Sequence, residues 1–208
     1  MKSVKIFIVL VALFALVTQS NAQVQFAIGL KAGPNFSKLD LKSTSPTEAY
    51  KSRTGFHGGA FALIKVTKFG IQPEILFSKQ GSKFVANTTN YEANFDYINV
   101  PIILKLYLAA GLNIQVGPQF GFLSTSELIN TANNTKDPKS AEALFSKKSD
   151  TSIAIGAGWD LPLGITIDAR YNIGLSDVKL SPTSQTPIDI KNKVIQVSIG
   201  YKIFKVGK

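Results

Sequence analysis

The chain of 208 residues contains no cysteine and one histidine, His57. The first absence excludes disulfide frameworks and thiolate metal sites. A single imidazole cannot build a zinc cluster by itself. Calcium-loop spacing is also missing, and Gly156-Ala-Gly158 lacks the strand-to-helix context of a dinucleotide fingerprint. No cofactor or metal is therefore expected. Beyond residue 17 no apolar run approaches the roughly twenty residues a spanning helix needs. If the chain crosses a membrane, it crosses as strands. The formal net charge is +10, yet no contiguous basic stripe marks a nucleic-acid footprint, so nucleic acid is not expected as a partner.

The N-terminus is the exception to this lack of apolar runs. Residues 1–22, MKSVKIFIVLVALFALVTQSNA, carry Lys2 and Lys5, then an apolar run from Ile6 to Val17, then small residues at Ser20 and Ala22. That layout predicts a cleaved secretory signal over 1–22 and a mature barrel domain over 23–208.

The mature sequence is organised around residues 95–123, FDYINVPIILKLYLAAGLNIQVGPQFGFL. Leu112, Ile114, Val116, Pro118, Phe120 and Phe122 alternate with Asn113, Gln115, Gly117, Gln119 and Gly121, a period of two. Before them Ile98, Val100, Ile102, Leu104, Leu106 and Leu108 share one face, and a turn near Ala109 and Ala110 joins the two strands. Further strands are predicted at 24–33, 55–66, 69–80, 151–161, 164–174 and 193–204. The second of these is rich in small residues, and its faces cannot be assigned. Long polar connections at 34–54, 81–94, 124–150 and 175–192 alternate with short turns. Outer-membrane barrels place long loops at one end and short turns at the other. The expected fold is an all-β, eight-stranded antiparallel transmembrane up-and-down barrel, with termini in the periplasm and long loops outside the cell.

The apolar face is expected to meet lipid. On the opposite face Glu74, Lys105, Asp168, Arg170 and Lys202 supply both charge signs and can pair across a narrow lumen as a structural polar network. Facing hydrocarbon, an Arg or Lys would cost about 2–4 kcal/mol at the midplane. Aromatics gather at strand ends, where interfacial girdles belong: Phe69 and Trp159 near short turns, and Phe77, Phe120 and Phe122 near long loops.

These features favour a structural or interaction barrel with a filled lumen. A narrow, slightly anion-favouring pore is the alternative, because Lys31, Lys65, Lys105, Arg170 and Lys202 outnumber Glu74, Asp160 and Asp168 on the strands. A lipid-modifying enzyme would need His57 at the outer rim, with Ser52 and Glu48 as nucleophile and orienting group. Residue types alone support that reading, so no enzyme is expected.

The segments GLKAGPNFSKL (29–39), GFHGGAFALIKV (55–66), FGIQPEILFSKQGSKF (69–84), DYINVPIILKLYL (96–108), NIQVGPQFGFL (113–123), GITIDARYNIGLSDV (164–178) and VSIGYKIF (197–204) resemble the outer-membrane β-barrel family common in Bacteroidetes-type bacteria. That family is described as porin-family or PorT-like, and is similar in architecture to the OmpA transmembrane domain. The resemblance implies an eight-stranded outer-membrane barrel. Its implied partners are outer-membrane lipid or lipopolysaccharide, the barrel assembly machinery, and a surface or envelope protein of unspecified identity. Such barrels commonly end on an aromatic residue that the assembly machinery reads. Here Phe204 is followed by Lys205, Val206, Gly207 and Lys208.

Overall fold

The computed structural model describes residues 24–41, 51–86, 89–130, 135–137, 149–175, 178–180 and 188–207. The expected signal peptide and much of the long connections lie outside the described residues. The strands are β1 (Val24–Leu41), β2 (Lys51–Val66), β3 (Phe69–Ala86), β4 (Thr89–Tyr107), β5 (Leu112–Asn130), β6 (Thr135–Asp137), β7 (Ser149–Asp160), β8 (Ile165–Gly174), β9 (Val178–Leu180) and β10 (Ile188–Val206). Eight of them ladder in the order β1-β2-β3-β4-β5-β7-β8-β10, and β10 returns to pair antiparallel with β1. The result is a closed eight-stranded antiparallel barrel. The short β6 and β9 extend the hairpins of β5 and β10. Closure leaves no raw sheet edge, which is the condition for placing strands in hydrocarbon. Among the described residues no helix is long and apolar enough to cross a membrane.

Alternation governs the barrel wall. Along β1 the apolar Val24, Phe26, Ile28 and Leu30 are exposed on the outside, while Gln25, Ala27 and Lys31 are buried inside. The same division holds on β3, β4, β5, β7 and β8. On β2, whose faces the sequence leaves open, His57, Phe61 and Leu63 point inward and Phe56 and Ile64 outward. Three tight connections close one end. These are Thr67-Lys68, Ala109–Gly111 and a single 3-10 turn at Pro162–Gly164. Ala110 and Gly111 adopt positive φ of 53° and 83°, which supplies the reversal between β4 and β5.

The strands run further than the alternation predicts, so the long connections are shorter than expected. β1 extends to Leu41 rather than residue 33, and its ladder with β10 continues to Leu41↔Ile190. Residues 81–94, expected as a loop, are mostly strand, with β3 and β4 paired as far as Ala86↔Thr89. Beyond the membrane both faces of a hairpin meet water, so the apolar period disappears while the backbone ladder persists. At 19 residues each, β4, β5 and β10 are about twice as long as the roughly ten residues a tilted transmembrane strand requires.

β10 also ends differently. It continues past Phe204 to Val206, and a bulge opposite Ile28 and Gly29 leaves Ile203 without a register partner. The extra residue reverses the phase of the strand. Strict alternation would turn Phe204 inward. Instead Ile203 and Phe204 are both exposed on the outer wall, and Phe204 packs edge-on against Phe26 with ring centroids 6.4 Å apart. At the same end Trp159 is exposed on the outer wall and donates its indole N–H to the Ala110 carbonyl at 2.9 Å.

Candidate functional site: the barrel interior

The inward positions of the barrel face one narrow lumen, and the most polar of their side chains meet at its middle. β8 contributes Asp168 and Arg170, β3 Gln72 and Glu74, β1 Lys31 and β5 Gln115, all nearly fully buried. Arg170 donates from Nη1 and Nη2 to the two carboxylate oxygens of Glu74 at 2.9 and 2.7 Å, and from Nε to Gln115 Oε1 at 2.6 Å. The planar fork of arginine is matched to that geometry. Gln115 passes the link on by donating to Asp168 Oδ1 at 2.6 Å, and Gln72 donates to Glu74 at 2.6 Å. The Lys31 ammonium sits between the acids, 2.7 Å from Asp168 and 3.4 Å from Glu74.

Nearer the short turns a second group forms around Asp160 of β7. Lys202 lies 2.7 Å and Lys105 3.4 Å from its carboxylate, and the Tyr107 hydroxyl donates to it at 2.8 Å. Lys105 also lies 3.6 Å from Asp168, which joins the two groups. Burying these charges costs several kcal/mol per ion, and the mutual pairing offsets that penalty. Room for the network is made by Gly158, where a Cβ would fall on the Gln115 amide and the Asp168 carboxylate.

The network is flanked by two other kinds of lining. Phe61, Leu63, Leu76 and Ile103 are buried inward-facing apolar residues. A neutral polar layer includes Asn35, which donates to Ser78 Oγ at 2.8 Å, and His57, whose Nε2 lies 2.8 Å from Ser198 Oγ. Towards the long hairpins, Tyr97, Asn99, Gln119, Ser152 and Asn172 line a cavity of about 10 Å³, room for about one water.

The structure brings all five residues of the expected network, Glu74, Lys105, Asp168, Arg170 and Lys202, into one connected set. It adds Lys31, Asp160 and Gln115, to which the sequence assigns no partners, and with them Tyr107 and Gln72. The available signal was shared parity with Ala27 and Gly29 for Lys31, and with Gly156 and Gly158 for Asp160.

His57 is not a rim residue. It is 3% exposed within the lumen and pairs with Ser198. Its Nδ1 has no partner among the described residues, so no carboxylate orients the ring. Glu48 lies outside the described residues, and Ser52 is known only by its backbone register with Ser82. The small residues of β2 hid this inward orientation from the sequence. Among the described residues no cluster of metal-ligating side chains occurs.

Three solved structures are among those similar to this chain. Neisserial surface protein A is 10% identical with a TM-score of 0.49, covering 85% of this chain and 97% of that one. Ail of Yersinia pestis is 18% identical with a TM-score of 0.46, covering 88% and 99%. OprG from Pseudomonas aeruginosa is 11% identical with a TM-score of 0.46, covering 90% and 97%. No curated protein sequence matches the chain at a significant level. The family model for the outer membrane protein beta-barrel domain matches residues 19–180, most of the chain. With its closed eight-stranded wall, apolar outer face and filled lumen, the chain belongs to the outer membrane protein β-barrel domain family.

Proposed function

We propose that the protein is a structural or interaction barrel of the cell outer membrane, of the Bacteroidetes PorT-like kind. Its termini and short turns lie in the periplasm and its long hairpins stand at the cell surface. One observation carries this reading. The Arg170–Glu74 and Lys31–Asp168 pairs lie in the lumen with side chains no more than 3% exposed, which supports an interior filled by side chains. The work of such a barrel falls to the hairpins projecting beyond the apolar band, whose partners would be lipopolysaccharide or a surface or envelope protein. No catalytic arrangement is assigned. Single-channel recording in planar bilayers tests the reading, with a silent membrane as the expected result.

The second reading, a narrow anion-favouring pore, is favoured by one feature. Lysines exceed carboxylates around Asp160, so any conducting state would present positive charge to permeating ions. Discrete current steps with anion preference would replace the first reading by this one. The last strand bears on assembly. With Phe204 held outward by the bulge, the aromatic remains available on the lipid side for the barrel assembly machinery despite the four residues that follow it.

A further inference from the structure

Lumen charge balances in the middle of the barrel and does not balance at its short-turn end. In the middle, Lys31 and Arg170 face Glu74 and Asp168, two cations against two carboxylates. Below them Lys105, which also lies 3.6 Å from Asp168, and Lys202 share the carboxylate of Asp160, and their side chains are 0% and 6% exposed. That carboxylate is fully engaged. Oδ2 accepts from Lys202 and Tyr107, and Oδ1 lies 3.4 Å from both Lys105 and the Asn113 amide.

Two more lysines join this group. Lys65 of β2 holds its ammonium 4.1 Å from the centroid of the Tyr107 ring, the ring whose hydroxyl binds Asp160. Lys65 also lies within electrostatic reach of Asp160, Lys202 and Lys205. Lys205 is exposed near the end of β10. Lys105, Lys202 and Lys65 therefore gather near one carboxylate that has no acceptor capacity to spare, and Lys205 adds a further positive charge beside Lys65. Excess positive charge that is partly desolvated is costly unless an anion compensates it.

We propose that this mouth is an anion-binding site for a phosphate group, held by Lys65 and Lys205 at the opening and by the field of Lys105 and Lys202 behind them. Lysine ammoniums are compact point charges with three donors each, suited to a phosphate approached from several sides. A phosphate carries about −1.5 to −2 as a monoester, closer than a single carboxylate to offsetting the excess here. Free phosphate offers this charge in full, and a phospholipid headgroup in the adjoining leaflet offers the same phosphate oxygens on a phosphodiester with a single negative charge. The site is independent of the barrel's role at the cell surface and of which end faces the periplasm.

The test uses the full mature barrel in two arms. In non-ionic detergent, inorganic phosphate is titrated calorimetrically. In nanodiscs of phosphatidylcholine with and without phosphatidylglycerol, retained lipid is counted by native mass spectrometry. Lys65→Gln with Lys205→Gln removes the opening lysines and leaves the buried Lys105–Asp160–Lys202 group intact, so the barrel still folds. Lys79→Gln, on an exposed position of β3 towards the long hairpins, is the control. Affinity is expected to fall at least about fivefold in the double variant, the order a partly exposed ion pair supplies, and to hold in the control. Phosphate binding lost in the double variant identifies a free-phosphate site. Retention of phosphatidylglycerol alone, lost in the same variant, identifies a lipid headgroup site. Absence of binding in both arms, or equal binding by the double variant, overturns the proposal.

Discussion

Arg170 and Glu74, 96 positions apart in sequence, meet in two near-parallel hydrogen bonds of 2.7 and 2.9 Å at the centre of the lumen. Neither is exposed enough for water to replace the partner. Arg170→Ala therefore leaves a buried carboxylate and is expected to cost about 3–5 kcal/mol. Replacing both residues, Arg170→Met with Glu74→Leu, leaves Lys31 paired to Asp168 and should cost less than the two single changes summed. Denaturant unfolding in micelles, followed by the fluorescence of Trp159, the chain's one tryptophan, reads both effects.

The outer wall is tested by charge. Leu104 lies on the lipid side within the apolar stretch of β4 and is 54% exposed. Leu104→Arg is expected to destabilise the barrel by about 2–4 kcal/mol in a bilayer. An unchanged unfolding midpoint in phospholipid vesicles would mean that this face does not meet hydrocarbon.

Gly158 is tested by size. Its missing side chain is the space that Gln115 and Asp168 occupy. Gly158→Val is expected to cost about 1–3 kcal/mol through overpacking. The loss should shrink when Gln115→Ala is introduced with it, which a double-mutant cycle on unfolding free energies measures.

His57 separates a lumen residue from a catalytic one. Its one side-chain hydrogen bond among the described residues is to Ser198, inside the wall. His57→Ala should cost about 1 kcal/mol, the net worth of one hydrogen bond, and leave the acyl chains of membrane lipid A unaltered by mass spectrometry. A changed acyl pattern would revive the enzymatic reading.

Leu163 offers a gain. Its φ of 67° lies in the left-handed region, and its side chain is 88% exposed, so little packing is at stake. Leu163→Gly should stabilise the turn between β7 and β8 by about 1 kcal/mol. A higher denaturation midpoint with unchanged circular dichroism is the expected outcome.

The wall was legible in the sequence wherever large and small residues alternate. On β5, Ile114, Val116, Phe120 and Phe122 are exposed outside, and Asn113, Gln115 and Gln119 are buried inside. Legibility failed in three places, each for a physical reason. On β2 the run Gly58-Gly59-Ala60 carries no contrast of size or polarity, so the inward turn of His57 and Phe61 was hidden. Residues 82–94 carry no strict period of two in size or polarity, so the hydrogen-bonded ladder that β3 and β4 form there reads as loop. On β10 one unpaired residue, Ile203, shifts the phase, and a period of two contains no sign of where such a shift falls. Within the lumen, charge type and face could be read, but pairing could not. Lys31 and Asp168 are neighbours only because the sheet closes on itself.

That closure ties the first described strand to the last. β1 and β10 share a ladder from Phe26↔Val206 to Leu41↔Ile190, so the seam joins residues separated by most of the sequence. A sheet with such distant pairing folds slowly, because the entropy of ordering the intervening chain is spent before the seam repays it. An incomplete barrel in hydrocarbon would leave two rows of bare N–H and C=O groups, each costing several kcal/mol. Partly zipped states are therefore poorly populated, and the shut barrel persists for a time set by the rate at which a whole ladder parts.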